Sequence, residues 1–177
     1  MLDVELIEEL LPALLKLEGL PALVLDAFAL PIAAKELRGG RSRGPTVLLT
    51  PHRGEMALLT GASEEEIERA PAEVLREAIA SLSSVIALKG AETYISAPAE
   101  AVYLNDHGHP GLGTAGSGDV LAGLLAGLCA RGAEPLPATL WAVWLHASAG
   151  CALARRIGPI GFLAREIADA IPGEMRP

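Results

Sequence analysis

Short apolar runs rich in Val, Ile and Leu alternate along the chain with longer stretches whose apolar positions recur every three or four residues. Runs of the first kind fit strands buried on both faces and the second kind fits crossover helices, so the pattern predicts an α/β protein with a mainly parallel central sheet. The opening stretch predicts a helix capped by Asp3 and continuing to about Leu17, weakened midway by Pro12. PALVLD, ending at Asp26, and TVLLT, ending at Thr50, predict the first two strands. A short helix follows near EMALL, then one from Ser63, whose SEEE has capping-box spacing to Glu66, then one from Pro71 to about Leu82. SVIALKG predicts the third strand, and ETYIS with AVYLN reads as a hairpin pair. The remainder is helical in pattern from Gly118 to about Ala170, interrupted by GPIG. There is no internal repeat.

Composition narrows this picture to one domain spanning residues 1–177, since a chain of this length with 51% hydrophobic residues can bury one substantial core. Fourteen basic against 22 acidic residues give a formal net charge of -8, with no basic cluster able to track a phosphate backbone, which argues against nucleic acid as a partner. The most apolar stretch, LPATLWAVWLHASAGCALA, approaches membrane-spanning length but holds His146, Ser148 and several small residues, so a buried helix is expected and no membrane. The acidic, periodic opening lacks the basic start of a secretory signal, and the expected location is cytoplasmic. Cys129 and Cys151 sit in apolar helical patterns without CxxC spacing and are expected to be reduced core thiols.

Several polar residues fall just past the carboxyl ends of predicted strands: Asp26, the run TPHRGE from Thr50 to Glu55, and Lys89. Any one of them is what a solvated strand end would carry. Three such endings on one rim predict a ligand site, because open α/β sheets bind outside their carboxyl edge. Lys16, Lys35 and Lys89 are the three lysines among 14 basic residues, which sets Lys89 apart from a default surface charge. GTAGSGDVLAG, residues 113–123, places three glycines and Asp119 in front of an apolar helix. Backbone N–H groups at such a helix start can cradle a phosphate or oxyanion. The segment is neither a Walker A loop nor a dinucleotide fingerprint. Asp119 then reads as a proton acceptor for a hydroxyl near that phosphate or as part of a Mg²⁺ shell, with a plain helix N-cap as the alternative. His107 and His109 form an HxH pair with no third ligand in view, which favours solvated loop histidines over a metal site.

With these residues in order, the chain resembles the ADP- or ATP-dependent NAD(P)H-hydrate dehydratases of the ribokinase-like fold. The resemblance rests on LDAFAL at 25–30, LTPHRGEM at 49–56, LKGAETYI at 88–95, GTAGSGDVLAGLLAGL at 113–128 and AVWLHASAG at 142–150. It implies a three-layer ribokinase-like domain and the repair of hydrated NADH or NADPH, with ADP or ATP consumed as co-substrate and Mg²⁺ accompanying it. It also implies residue roles. His52 would contact the hydrated dinucleotide; Lys89, Gly90, Ala91, Glu92 and Thr93 would hold the nucleotide; and Gly116, Ser117 and Gly118 would meet its phosphates. Asp119 would face the hydrated nicotinamide as the catalytic acid-base group.

Two departures from the family pattern touch the expected pocket floor: Phe28 stands where a second aspartate is common, and Arg53 where a second proline is common. The family's substantial N-terminal portion before PALVLD is also missing. A crossover core of three strands leaves a strand edge and apolar surface exposed, so self-association into a homo-oligomer, with the family's tetramer as precedent, is expected, the alternative cover being a separately encoded N-terminal piece. Two other functions share part of the pattern. A small-molecule kinase of the same fold, acting on a vitamin or sugar alcohol, needs the glycine turn and Asp119 but not the histidine motif. A truncated, non-catalytic nucleotide-binding homologue is supported by the missing portion.

Overall fold

The computed structural model describes residues 4–39 and 43–175. Helix α1 spans Val4–Leu14 and contains Pro12; the expected Asp3 cap lies outside the described residues. Three strands of four residues follow: β1 at Ala22–Leu25, β2 at Thr46–Leu49 and β3 at Val85–Leu88. They pair in parallel, Leu23 against Val47 and Leu49 against Ile86. Strands β4 (Thr93–Ser96) and β5 (Tyr103–Asn105) form the expected hairpin, with β4 antiparallel to β3, so the sheet runs β1-β2-β3-β4-β5.

Helices lie on both faces, and the two-residue period of the strands sorts side chains between them. Val47, Leu49, Ile86 and Leu88 pack with Met56 and Leu59 of α3 (Arg53–Thr60), Ile67 of α4 (Glu64–Arg69), Leu75 and Ile79 of α5 (Pro71–Leu82), and Leu30 and Leu37. Leu48, Val85 and Ala87 face the other way. They pack on Leu121 and Leu125 of α6 (Ser117–Ala130) and on Ala142 and Val143 of α7 (Pro135–Arg156). All four residues of β3 are buried, as a strand between two neighbours and two helical layers must be. The capping box at Ser63 forms as its spacing predicts: Glu66 N donates to Ser63 Oγ at 3.2 Å, and Ser63 N donates to Glu66 Oε2 at 2.9 Å.

Two expectations need correction. Leu30 and Leu37 belong to a helix, α2 at Ala29–Leu37, that the hydropathy pattern does not announce; it is one short apolar run with Pro31 in its first turn. The long C-terminal pattern also breaks where none is expected, at 131–134. Gly132 there takes a φ of 93°, and Pro135 opens α7. Helix α7 is long and apolar enough to cross a membrane, yet 61% of its most apolar window is buried within the fold, as for a core helix. The last helix, α8 at Ala164–Glu174, packs Ile167 and Ile171 on Leu153 of α7 and on Phe162.

A single 3₁₀ turn, Pro110–Gly113, carries the chain from the hairpin to α6. Its seat is fixed by two close approaches. A Cβ at Gly111 would lie 2.5 Å from the Phe162 ring and 2.8 Å from the backbone oxygen of Pro159, and one at Gly150 of α7 would lie 2.6 Å from Leu112. Because Phe162 is 1% exposed and a backbone oxygen cannot step aside, Gly111→Ala is expected to destabilise the fold by about 1–3 kcal/mol, the usual cost of overpacking. Chemical denaturation with the parent's midpoint would show that this seat is looser than described.

Candidate functional site

The carboxyl ends of β1, β2 and β3 bring together residues far apart in sequence. Asp26 follows β1 and is followed in turn by Ala27, whose φ of 50° puts a non-glycine residue in the left-handed region. Pro51 and His52 continue β2, where Pro51 O accepts from Lys89 N at 2.7 Å and His52 bridges to Lys89 in parallel register. The Lys89 side chain, 21% exposed, crosses the rim, and Nζ lies 2.9 Å from Asp26 Oδ1 and 4.0 Å from Glu55 Oε2. His52 is the N-cap of α3 in a full capping box: His52 N donates to Glu55 Oε2 at 2.8 Å, and Glu55 N donates to His52 Nδ1 at 3.2 Å. Its Nε2 lies 3.4 Å from Glu55 Oε1, and the side chain is 60% exposed. His52, Glu55, Lys89 and Asp26 thus form one connected polar cluster.

The first turn of α6 lies on this cluster. Gly116, with a φ of 85°, is the N-cap, so the side chains of the turn begin at Ser117 and Asp119 is the third helical residue. Asp119 is therefore not the cap. A Cβ on Gly118 would sit 3.3 Å from Asp26 Oδ2 and 3.4 Å from Lys89 Nζ, which brings the α6 backbone directly onto the ion pair. Behind the turn, Ser117 is buried and its oxygens meet His146 of α7, whose Nε2 is 3.0 Å from Ser117 Oγ and 3.0 Å from the Ser117 carbonyl oxygen. Burial holds the His146 imidazole below its ordinary value of 6.5 and the Lys89 charge adds to this, against the opposing pull of the Ser117 carbonyl; the ring is neutral at pH 7.

A cleft of about 600 Å³ opens at this edge, and His52, Lys89, Gly90, Ala91, Thr93, Ser117 and Gly118 all line it. Gly116, Glu92 and Asp119 do not. Glu92 instead accepts from the Tyr94 hydroxyl at 2.8 Å, and Asp119 is exposed in the α6 first turn outside the lining. The far wall adds Asn105, His107, His109 and His146. His107 stacks on Trp144 at 6.5 Å, and His109 Nδ1 accepts from Gly111 N at 3.2 Å, so both loop histidines hold the wall. The signal for His146 is its lone polar ring in an otherwise apolar helical stretch. Among the described residues no group of three or more His, Cys, Asp or Glu is arranged to hold a metal ion. A second cleft of about 660 Å³, bordered by Arg38, Arg69, Glu73 and Glu77, contains none of the rim residues.

Neither departure from the family pattern enters the cleft. Arg53 turns to α4, with Nε 3.1 Å from Glu64 Oε2 and Nη1 2.8 Å from Glu68 Oε2, so it joins two helices and stays out of the cleft lining. Phe28 is 65% exposed and outside the cleft lining.

The fold, with helices on both faces of the sheet and the start of α6 over its carboxyl edge, is that of a ribokinase-like protein. A ribokinase-like superfamily protein from Enterococcus faecalis superposes with a TM-score of 0.82 at 29% identity, over 99% of this chain and 59% of that one. The ADP/ATP-dependent NAD(P)H-hydrate dehydratase from Bacillus subtilis, co-crystallised with ATP/Mg²⁺, gives a TM-score of 0.78 at 34% identity, over 86% and 53% of the two chains. The chain is 48% identical over 151 residues to the ADP-dependent (S)-NAD(P)H-hydrate dehydratase of Xanthomonas campestris, covering 85% of this chain and 50% of the relative. The NAD(P)H-hydrate dehydratase family model matches residues 5–173, and the chain belongs to that family. It spans about half the length of the curated dehydratases it matches.

Because a Cβ at position 118 would crowd Asp26 and Lys89, the bulkier Gly118→Val is expected to displace the first turn of α6 and destabilise the fold by about 1–3 kcal/mol. A denaturation midpoint equal to the parent's would show that the turn accommodates the side chain.

Proposed function

We propose that the cleft carries out the ADP- or ATP-dependent dehydration of hydrated NADH or NADPH. The observation that carries this reading is the contact of the α6 first-turn backbone, at Gly118, with the Asp26–Lys89 pair. Lys89 is already matched by Asp26 and Glu55, so the attraction for a phosphate falls mainly to the backbone amides of the turn, aided by the helix dipole. Lys89, Gly90, Ala91 and Thr93 border the nucleotide, with Glu92 behind them; Ser117 and Gly118 meet its phosphates at the turn opened by Gly116; and His52 meets the hydrated dinucleotide.

In this reading the substrate hydroxyl reaches the rim from the Asp119 side. Asp119 accepts the hydroxyl proton while the hydroxyl oxygen bonds to the terminal phosphorus and the bond to the nucleotide's bridging oxygen breaks. Phosphate then leaves with the C–O electron pair in place of hydroxide, a proton on the neighbouring ring carbon passes to solvent water, and its C–H electron pair restores the ring double bond. The amides of the turn stabilise the transferring charge. Among the described residues no group of three or more His, Cys, Asp or Glu is arranged as a resident metal site; Mg²⁺ would accompany the nucleotide phosphates, and no step is assigned to it.

We also propose that copies of the chain associate. Three of the four β1 residues are only half-buried, and Leu104, Trp141 and Trp144 are 52%, 59% and 42% exposed. Light scattering is expected to give a mass above 18.3 kDa, and a compact monomer would overturn the association.

Recovery of NADH absorbance from hydrated NADH with ADP or ATP tests the dehydratase reading and separates it from a small-molecule kinase and from a binding-only protein. Asp119→Asn, which keeps size and helix start but removes the base, is expected to lower that recovery by roughly two to four orders of magnitude with an unchanged melting curve. Turnover near the parent's would remove Asp119 from the mechanism.

A further inference from the structure

One buried polar contact at the cleft has no part in the mechanism above. His146 is 9% exposed, and its Nε2 lies 3.0 Å from both Ser117 Oγ and the Ser117 carbonyl oxygen. A carbonyl oxygen has no proton to give, so this pair of contacts requires Nε2 to carry hydrogen and to donate. The Ser117 hydroxyl oxygen is then an acceptor toward His146, and its own proton is left to donate in another direction. Ser117 is the first residue of α6, and both residues line the cleft.

We propose that His146 is a positioning residue: it holds the Ser117 oxygens from behind so that the hydroxyl proton is presented to the cleft, adding a side-chain donor to the backbone amides of α6 for a phosphoryl-bearing anion. The inference rests on the reading of the cleft as a nucleotide site. Three observations converge on it. The contact ties together residues 29 positions apart, it is sheltered from water, and it sits at the helix start whose Gly118 lies against the Asp26–Lys89 pair. His146 acts through Ser117 and itself need not touch the ligand.

The experiment is calorimetric titration of the full chain with ADP, for the parent, Ser117→Ala, His146→Leu, the double variant, and His146→Gln, whose side-chain amide can put an N–H near the place of Nε2. Ser117→Ala and His146→Leu are each expected to weaken ADP about tenfold, the scale of one hydrogen bond to a charged group. The double variant is expected to lose no more than either single, because both remove the same donor. His146→Gln is expected to regain most of the affinity, which a mere packing role for the ring would not permit. Additive losses in the double variant, a Gln variant as weak as the Leu one, or a Leu variant as tight as the parent would each overturn the proposal. Should His146→Leu not fold by circular dichroism, Ser117→Ala decides: parent-like affinity overturns it. A parent that binds no ADP fails the nucleotide reading itself, a different outcome from any of these.

Discussion

The salt bridge between Lys89 and Asp26 is the constraint on which the site depends. Both side chains are about four-fifths buried, so neither charge is cheaply left alone, and each needs the other. The pair ties the end of β1 to the end of β3 across β2, and the lack of a side chain at Gly118 lets the first turn of α6 lie close over it. The same pairing sets the electrostatics. With Asp26 and Glu55 both facing Lys89, the cleft offers an anion oriented amides more than net positive charge. In a chain of formal net charge -8, any attraction for an anion there would be short-ranged and directional.

His52 joins the sheet to the cleft. Its backbone extends the β2–β3 pairing to Lys89, its Nδ1 accepts the N–H of Glu55 at the start of α3, its Nε2 lies 3.4 Å from Glu55 Oε1, and the residue lines the cleft. A histidine can hold Glu55 twice because its two ring nitrogens point in different directions. Glu55 is equally shared, closing the capping box with the same Oε2 that faces Lys89. The start of α3 and the rim are therefore built from the same atoms.

Much of this was legible in the sequence where the cause is local. SEEE at Ser63 and the proline at 71 fix helix starts within a few residues, and TVLL and VIAL are short runs with the β-branched and apolar character that suits buried strands. Helix α2 was not, since nine residues with Pro31 in the first turn carry too little periodicity to stand out. Nor was the break after α6, where Gly132 and Pro135 interrupt a run whose apolar character continues on both sides. At the site, Asp26 and Lys89 could be assigned to one rim from their strand ends, but their direct pairing across 63 residues is a property of register. The orientation of Arg53 was hidden for a related reason: its partners Glu64 and Glu68 are on another helix, and only the fold turns it away from the cleft. His146 lies inside an apolar pattern that gives no hint of which face it occupies.

Trp141 and Trp144 are the two tryptophans of the chain, and both project from one face of α7, edge to face at 5.8 Å. Trp144 stacks with His107 of the cleft wall and stands two residues from His146. The indole emission of the whole protein therefore originates from one patch beside the cleft, partly open to water. Its colour and its accessibility to quenchers follow the polarity of that patch and nothing in the buried layers. The molecule thus carries its own optical gauge of whatever settles on this side of the sheet, with no label to be added.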